Sequence, residues 1–342
     1  MTPYPEPDFA HLCRMTDQRG TFEHARFTET RTEHGYCTDD VARVLVVASR
    51  EPVRSAQVSG LIEVSLRFLA DAQDPDGRFR NRMNREGRWE DTASTEDCWG
   101  RAIWGLGTAA ATTEDEEIGR PVTAQLTRAV HQRSPWSRAR SFAAIGCAEM
   151  LSVQPDHQLA RALLEEVARS YHADRRHRSP QHWPWPEARL TYANAVLPEA
   201  IIAAASILGR PGLLGYGLEL LEWLLAHETR RGHLSVTPVG GHGPGEAQLG
   251  FDQQPIEVAA LADACARAAR VDDGGPWIEG IRSAVAWFAG ENDTGAIMWD
   301  PSTGGGFDGL QADGVNRNQG TESTLALLST LQHGRRVAPV MR

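Results

Sequence analysis

The chain contains no lysine. All 35 of its Lys-plus-Arg positions are arginine, a bias attributable to codon usage that carries no functional weight. It also has no G-x-x-x-x-G-K-[ST] loop, no G-x-G-x-x-G after a strand, no G-x-S-x-G and no H-E-x-x-H. The usual phosphate-loop, dinucleotide, serine-hydrolase and zinc-protease signals are therefore missing. Cysteine is sparse: Cys13, Cys37, Cys98, Cys147 and Cys265 are scattered, with no C-x-x-C and no zinc-finger spacing to histidines. Reduced, packed thiols are expected, with no structural metal. No run approaches the roughly 18 apolar residues of a membrane span. The start, MTPYPEPDFAHLCRM, has neither a basic n-region nor an apolar h-region, so a cytoplasmic protein is expected.

Acids outnumber bases, 45 to 35, for a formal charge of -10. Such a surface repels phosphate backbones and anionic headgroups. The one basic run, Arg175, Arg176, His177 and Arg178, has no stacking aromatics of its own and reads as a solvated helix end. Neither a nucleic acid nor a membrane is expected as partner. With 342 residues, 41% hydrophobic and 23% charged, the composition is that of a soluble globular protein able to bury a large core.

Apolar residues recur at three- and four-residue spacing in eleven segments, from 39–50 to 319–333, with almost no strand-length alternation between them. Alternate segments share a grammar: a polar opening, then a helix of small residues. Examples are TDDVARVLVVAS from Thr38, TEDCWGRAIWGLG from Thr95, QQPIEVAALADACA from Gln253 and QGTESTLALLSTL from Gln319. Small residues let helices approach closely and suit an inner layer; the intervening helices, such as LLEEVARSYHADRR, keep polar faces outward. DPDGRFRN, RRGHLSVTP and NDTGAIMWD each read as a glycine turn with a short hairpin. Outer helix, turn, extended piece and inner helix thus form an internal repeat. PDFAHLCRM supplies the missing outer helix. The expected fold is all-α, an (α/α)6 toroid of six hairpins, with 1–342 as one domain and the long linkers on one rim.

That rim gathers carboxylates, amides and aromatics, which suits a sugar: flat rings cover its apolar faces, amides and acids bind its hydroxyls, and paired carboxyls do acid and base work. The catalytic candidates are Glu187, Asp40, Asp252 and Glu322. The binding candidates are Tyr36, Asp39, Glu96, Asp97, Trp183, Trp185, Tyr192, Asn194, Gln253, Gln254, Asn316, Asn318 and Gln319. Tyr36, Trp183 and Trp185 are the expected stacking platforms. Thr38 and Thr95 read as helix N-caps, Asp39 and Asp97 as partners of Arg43 and Arg101 four residues on, and Asp40 and Glu96 as acids without such a partner. Trp99, Trp104 and Trp287 fall at core spacing.

HGYCTDDVARVLVVAS, WPWPEARLTYANAVLPEA, FDQQPIEVAAL and VNRNQGTESTLALL resemble a helical domain found in bacteria alone or fused to glycosyltransferases. The family motif usually has asparagine where this chain has Val41. By arrangement the chain also resembles the six-hairpin glycosidase superfamily. These resemblances imply a carbohydrate-active enzyme, with an inverting glycoside hydrolase as the first reading. They also imply an oligosaccharide substrate, no cofactor, and a functional association with a glycosyltransferase. The alternatives are a sugar epimerase or isomerase using histidines such as His34 and His182, and a non-catalytic glycan-binding module.

Overall fold

The computed structural model describes residues 5–176, 183–247 and 250–338, with the side chains of 172–176 left out. His177, Arg178 and His182 lie outside the described residues. Twelve α-helices appear among those described: α1 (Ala10–Arg14), α2 (Thr38–Ser49), α3 (Ala56–Ala72), α4 (Asp97–Thr112), α5 (Glu116–Ala129), α6 (Ser137–Val153), α7 (Gln158–Arg176), α8 (Val196–Leu208), α9 (Pro211–His227), α10 (Pro255–Ala268), α11 (Trp277–Phe288) and α12 (Thr321–Val337). Five two-stranded antiparallel sheets decorate the connections.

Burial alternates along the chain as the small-residue grammar predicts. In α2 every residue except Asp39 is buried, and in α4 the burial is continuous from Cys98 to Ala109. By contrast α3 buries a single stripe, Val58, Leu61, Ile62, Ser65, Phe68, Leu69 and Ala72, at helical spacing. Its first turn is closed by the Ser55 hydroxyl, which accepts from the Val58 N–H at 3.2 Å. The expected PDFAHLCRM helix is only five residues long.

The chain divides into two compact units. The first comprises Leu12–Arg169 with Ala203–Gly209; the second comprises Met1–His11, Ser170–Ile202 and Arg210–Arg342. In the first, α4 packs between α2 and α6. A Cβ on Gly107 would stand 2.1 Å from the Gly146 carbonyl oxygen, and one on Gly146 would stand 2.2 Å from the Ile103 oxygen. Glycine there is a steric requirement of two helix backbones in contact. In the second unit α10 packs on α11 and α12, and the His11 Nε2 bonds to the Gln319 carbonyl at 2.7 Å, just before α12.

Two of the three expected hairpins form as read. Gly77 turns the chain at φ 98° as Gln73 bridges to Phe79, and Gly232 at φ 85° joins Thr229–Arg230 to His233–Leu234. The third differs. Asn292 closes a turn with its own amide, which accepts from Thr294 N and Ala296 N and donates to Trp287 O and Ala296 O. The strand pairing comes later, between Trp299–Asp300 and Gly305–Gly306. The expected caps also differ: Thr38 is tethered to a neighbouring hairpin through Oγ1 to Arg80 O at 2.6 Å, and the cap positions are Cys37 and Glu96, neither with a side-chain cap.

Candidate functional site

In the first unit the expected rim residues of α2 and α4 are drawn into an arginine network. Asp40 is 2% exposed and ion-paired with Arg43 three residues on, a partner that the four-residue spacing argument missed. Asp39 instead accepts from Asn81 Nδ2 at 2.9 Å and lies 3.6 Å from Arg101, which also reaches Asp97 at 3.8 Å. Glu96 is exposed. Tyr36 is buried, stacked on Phe22 with centroids 4.4 Å apart, and donates its hydroxyl to Asp17 at 2.7 Å. It offers no free face to a ligand here. His34 sits in a surface turn, edge-on to His24.

Glu23, Cys37 and Asp40 each bring a ligand-type atom within 4.8 Å of the others. Guanidinium groups already hold both carboxylates, Arg82 on Glu23 and Arg43 on Asp40. Burial, then Asp39 and Asp40, pushes the Cys37 thiol up, so its sulfur stays protonated and donates to Asn81 Oδ1. The set is compensated as it stands.

The second unit holds a different cluster, around the loop 183–195, the hairpin after α9 and the start of α10. Trp183 is half-buried, donates its indole N–H to the Glu187 carbonyl at 2.8 Å, and meets Trp223 edge-on at 5.3 Å. Trp223 stacks on His227 at 4.9 Å, and His227 lies 5.1 Å from His242. Trp185, fully buried, stacks on the other side of this group at 6.0 Å from Trp223. Burial, then His242, pulls His227 down to about 4, and burial also lowers His242. Both imidazoles are therefore neutral at pH 7.

Two glutamates stand beside them. Glu257, in the first turn of α10 and 3% exposed, accepts at one oxygen from Ala193 N at 2.5 Å and at the other from Asn194 N and Nδ2 at 3.1 and 3.2 Å. Accepting at both oxygens, it is bound as a carboxylate. Glu228, the residue that ends α9, is 2% exposed; its Oε1 accepts from Thr237 N and Oγ1 at 3.1 and 2.5 Å, while its Oε2 has no partner among the described residues. Burial, then the charge of Glu257, raises Glu228 to about 8. Glu228 lines a small cleft with His227, Arg230, Ser235, Thr237 and His242. A neutral carboxyl of this kind holds a proton that it can donate, although its uncommitted oxygen is itself buried.

The remaining sequence candidates fall as follows. Asn194 and Gln253 are wholly buried. Asn194 accepts from Thr191 N besides holding Glu257, and Gln253 is shared among Gly250 O, Asp293 and the Trp287 indole. Gln319 joins Thr303 to Asp300. Asp252 is exposed and accepts from Gln311 at 3.3 Å. Asn316 accepts from Asn318 N at 3.2 Å. Glu187, Gln254, Asn318 and Glu322 are half-buried, and Tyr192 is 42% exposed. Sequence reasoning missed Glu228 and His227. A signal for Glu228 existed: an acid ending a helix opposes the helix dipole, so something other than helix formation must place it there.

No family model matches the chain, and no curated protein matches it. Solved structures do share its fold. A sugar epimerase from a ruminal bacterium is 12% identical over 95% of this chain and 95% of that one, with a TM-score of 0.73. A D-mannose isomerase is 10% identical over 95% and 93%, with a TM-score of 0.67. An α-1,6-mannanase of Salegentibacter, inactivated by replacing two adjacent aspartates with alanine and bound to α-1,6-mannotetrose, is 13% identical over 96% and 99%, with a TM-score of 0.60.

Proposed function

We propose that the chain is a carbohydrate-active enzyme, and within that class an inverting glycoside hydrolase acting on an oligosaccharide. The observation that carries this reading is Glu228: a buried carboxyl, held neutral near a second, anionic glutamate, with one buried oxygen that has no partner among the described residues. Environments that push two carboxyls apart in this way are how acid chemistry runs at neutral pH. Glu228 is the general acid. Glu187, half-buried on the loop that carries Trp183, is the water-activating base, with Asp252 and Glu322 as its competitors in the same unit. Trp183 and the exposed Tyr192 supply the apolar faces, and Gln254 and Asn318 the amides. Inversion requires roughly 6.5 to 9.5 Å between the acid and base carboxyls. The fold likeness to the mannanase supports this class. No metal or organic cofactor enters the scheme, and 1–342 is taken as one domain.

The test is a pH–rate profile with reducing-end assays on manno- and gluco-oligosaccharides. A general acid must be protonated, so kcat/KM should fall as pH rises through about 8. Glu228→Gln should lose about a hundredfold or more while keeping its helical circular dichroism. Full turnover in that variant would sink the assignment.

A second reading has its own observation. His227 and His242 face each other as neutral imidazoles beside Trp183 and Trp223, a pair able to exchange a proton with a sugar carbon. Solvent deuterium incorporated into an unhydrolysed sugar would establish epimerisation instead. Intact, unlabelled ligand after long incubation would leave the glycan-binding module.

A further inference from the structure

On the hairpin that also borders the cleft, the second unit carries a groove of about 520 Å³ between α11 and the hairpin tip at Gly232 and His233, with Trp299 in its wall. Its chemistry is mixed. Trp299 is half-buried and contributes an aromatic surface. His233 bonds through Nε2 to Asp293 at 3.0 Å. Burial alone would raise Asp293, but hydrogen bonds from Ser235, His233 and Gln253 outweigh it and hold the carboxyl below its usual range. An anionic Asp293 requires a donor, so His233 donates to it from Nε2.

That orientation is fixed from behind. Asp293 also accepts from Ser235 Oγ and Gln253 Nε2, each at 2.6 Å, and Gln253 in turn accepts from the buried Trp287 indole at 3.1 Å. On the opposite wall Arg282 pairs with Glu279 at 3.4 Å, yet its Nε is buried with no partner among the described residues. A buried donor left unmade is costly, and a bound acceptor would relieve that cost. Glu291 adds a further carboxylate to the wall.

We propose that this groove is a second carbohydrate subsite, in which a neutral sugar residue lies against Trp299 with its hydroxyls shared between His233, Arg282 and the two glutamates. One arginine set against two acids disfavours a phosphate or other anion. An aromatic face beside fixed donors and acceptors suits a pyranose, whose two sides are apolar and whose rim is polar. The subsite would hold a further sugar residue of an oligosaccharide chain beside the cleft. The inference rests on the carbohydrate reading above.

The experiment is fluorine NMR of the full chain labelled with 5-fluorotryptophan, with Trp299 and Trp183 assigned by Trp299→Phe and Trp183→Phe, titrated with α-1,6-mannotetraose and with cellotetraose. The Trp299 resonance should shift and saturate with at least one of them. Arg282→Ala should weaken that response about tenfold while leaving the Trp183 response unchanged. A Trp183 shift without a Trp299 shift overturns the subsite and leaves the carbohydrate reading standing. A Trp299 shift with no turnover or isomerisation by any assay supports the subsite and removes the enzyme reading. Silence at both tryptophans removes both.

Discussion

The acids around the cleft of the second unit are held unlike those of the first, although the second unit also has a guanidinium-paired buried acid, Glu199 with Arg267 at 2.9 Å. In the first, the interior acid Asp40 and the half-buried Asp39, Asp97 and Glu23 all have guanidinium groups close by, from Arg43, Arg101 and Arg82. In the second, Glu257 is held by N–H dipoles and Glu228 by Thr237 alone. A guanidinium fixes a carboxylate as an anion at every physiological pH and leaves it little proton chemistry. Dipoles and burial leave the second glutamate near neutrality, where a proton can be given and taken back. Counting carboxylates on a rim does not separate these cases; counting what faces each of them does.

The largest effect that would test this contrast is on Asp40. With Asp40 and Arg43 both buried, Asp40→Asn removes the carboxylate that faces the guanidinium, and stability should fall by about 3 to 5 kcal/mol in urea denaturation. If instead the variant unfolds at the wild-type midpoint but loses turnover, Asp40 is chemical, and the arginine-paired unit holds the reaction.

Next comes Glu228, whose effect depends on pH. Its proton affinity is higher in the folded chain, about 8, than the ordinary value of 4.5. Its contribution to stability is therefore complete below about pH 4.5 and is lost as pH rises through about 8. Glu228→Gln keeps an acceptor for Thr237 and removes the ionisation, so it should melt higher than wild type at pH 9 and show no such slope. His227 works in the other direction: lowered from 6.5 to about 4, its contribution is present above pH 6.5 and is lost as pH falls toward 4. His227→Gln should flatten that acid limb. Thermal melts from pH 4 to 9 read both, and a wild-type curve without either limb would mean that these groups are solvated.

The helices were legible because their signals are local and repeated. The eleven segments and the alternation of fully buried with one-faced helices follow from spacing and residue size alone, as in α2 against α3. The site was less legible. Tyr36 and Trp185 have the right side chains for stacking, but burial takes their faces, and burial is a property of what packs around a residue. Asp40 was separated from Arg43 because the reading used only four-residue spacing. Glu228 and His227 sit at the end of α9 and not in one of the polar helix openings where acids were sought. Only the tertiary approach of α10 brings Glu257 to Glu228, and no local pattern announces it.

The smallest expected effect lies with an acid in the arginine-rich unit that is held the other way. Asp17 accepts the Tyr36 hydroxyl at 2.7 Å and the backbone N–H groups of Arg19 and Gly20 at 2.8 and 3.1 Å. Tyr36→Phe keeps the ring stacked on Phe22 and removes one of those three donors. Asp17 then retains its backbone donors, so the cost should be near a single hydrogen bond, about 1 kcal/mol in denaturant titration. KM and kcat should not move, because the hydroxyl points to Asp17 and the ring is covered. A raised KM in this variant, at unchanged stability, would mean that the Tyr36 hydroxyl meets substrate, and that a dipole-held acid in the first unit shares the chemistry assigned here to the second.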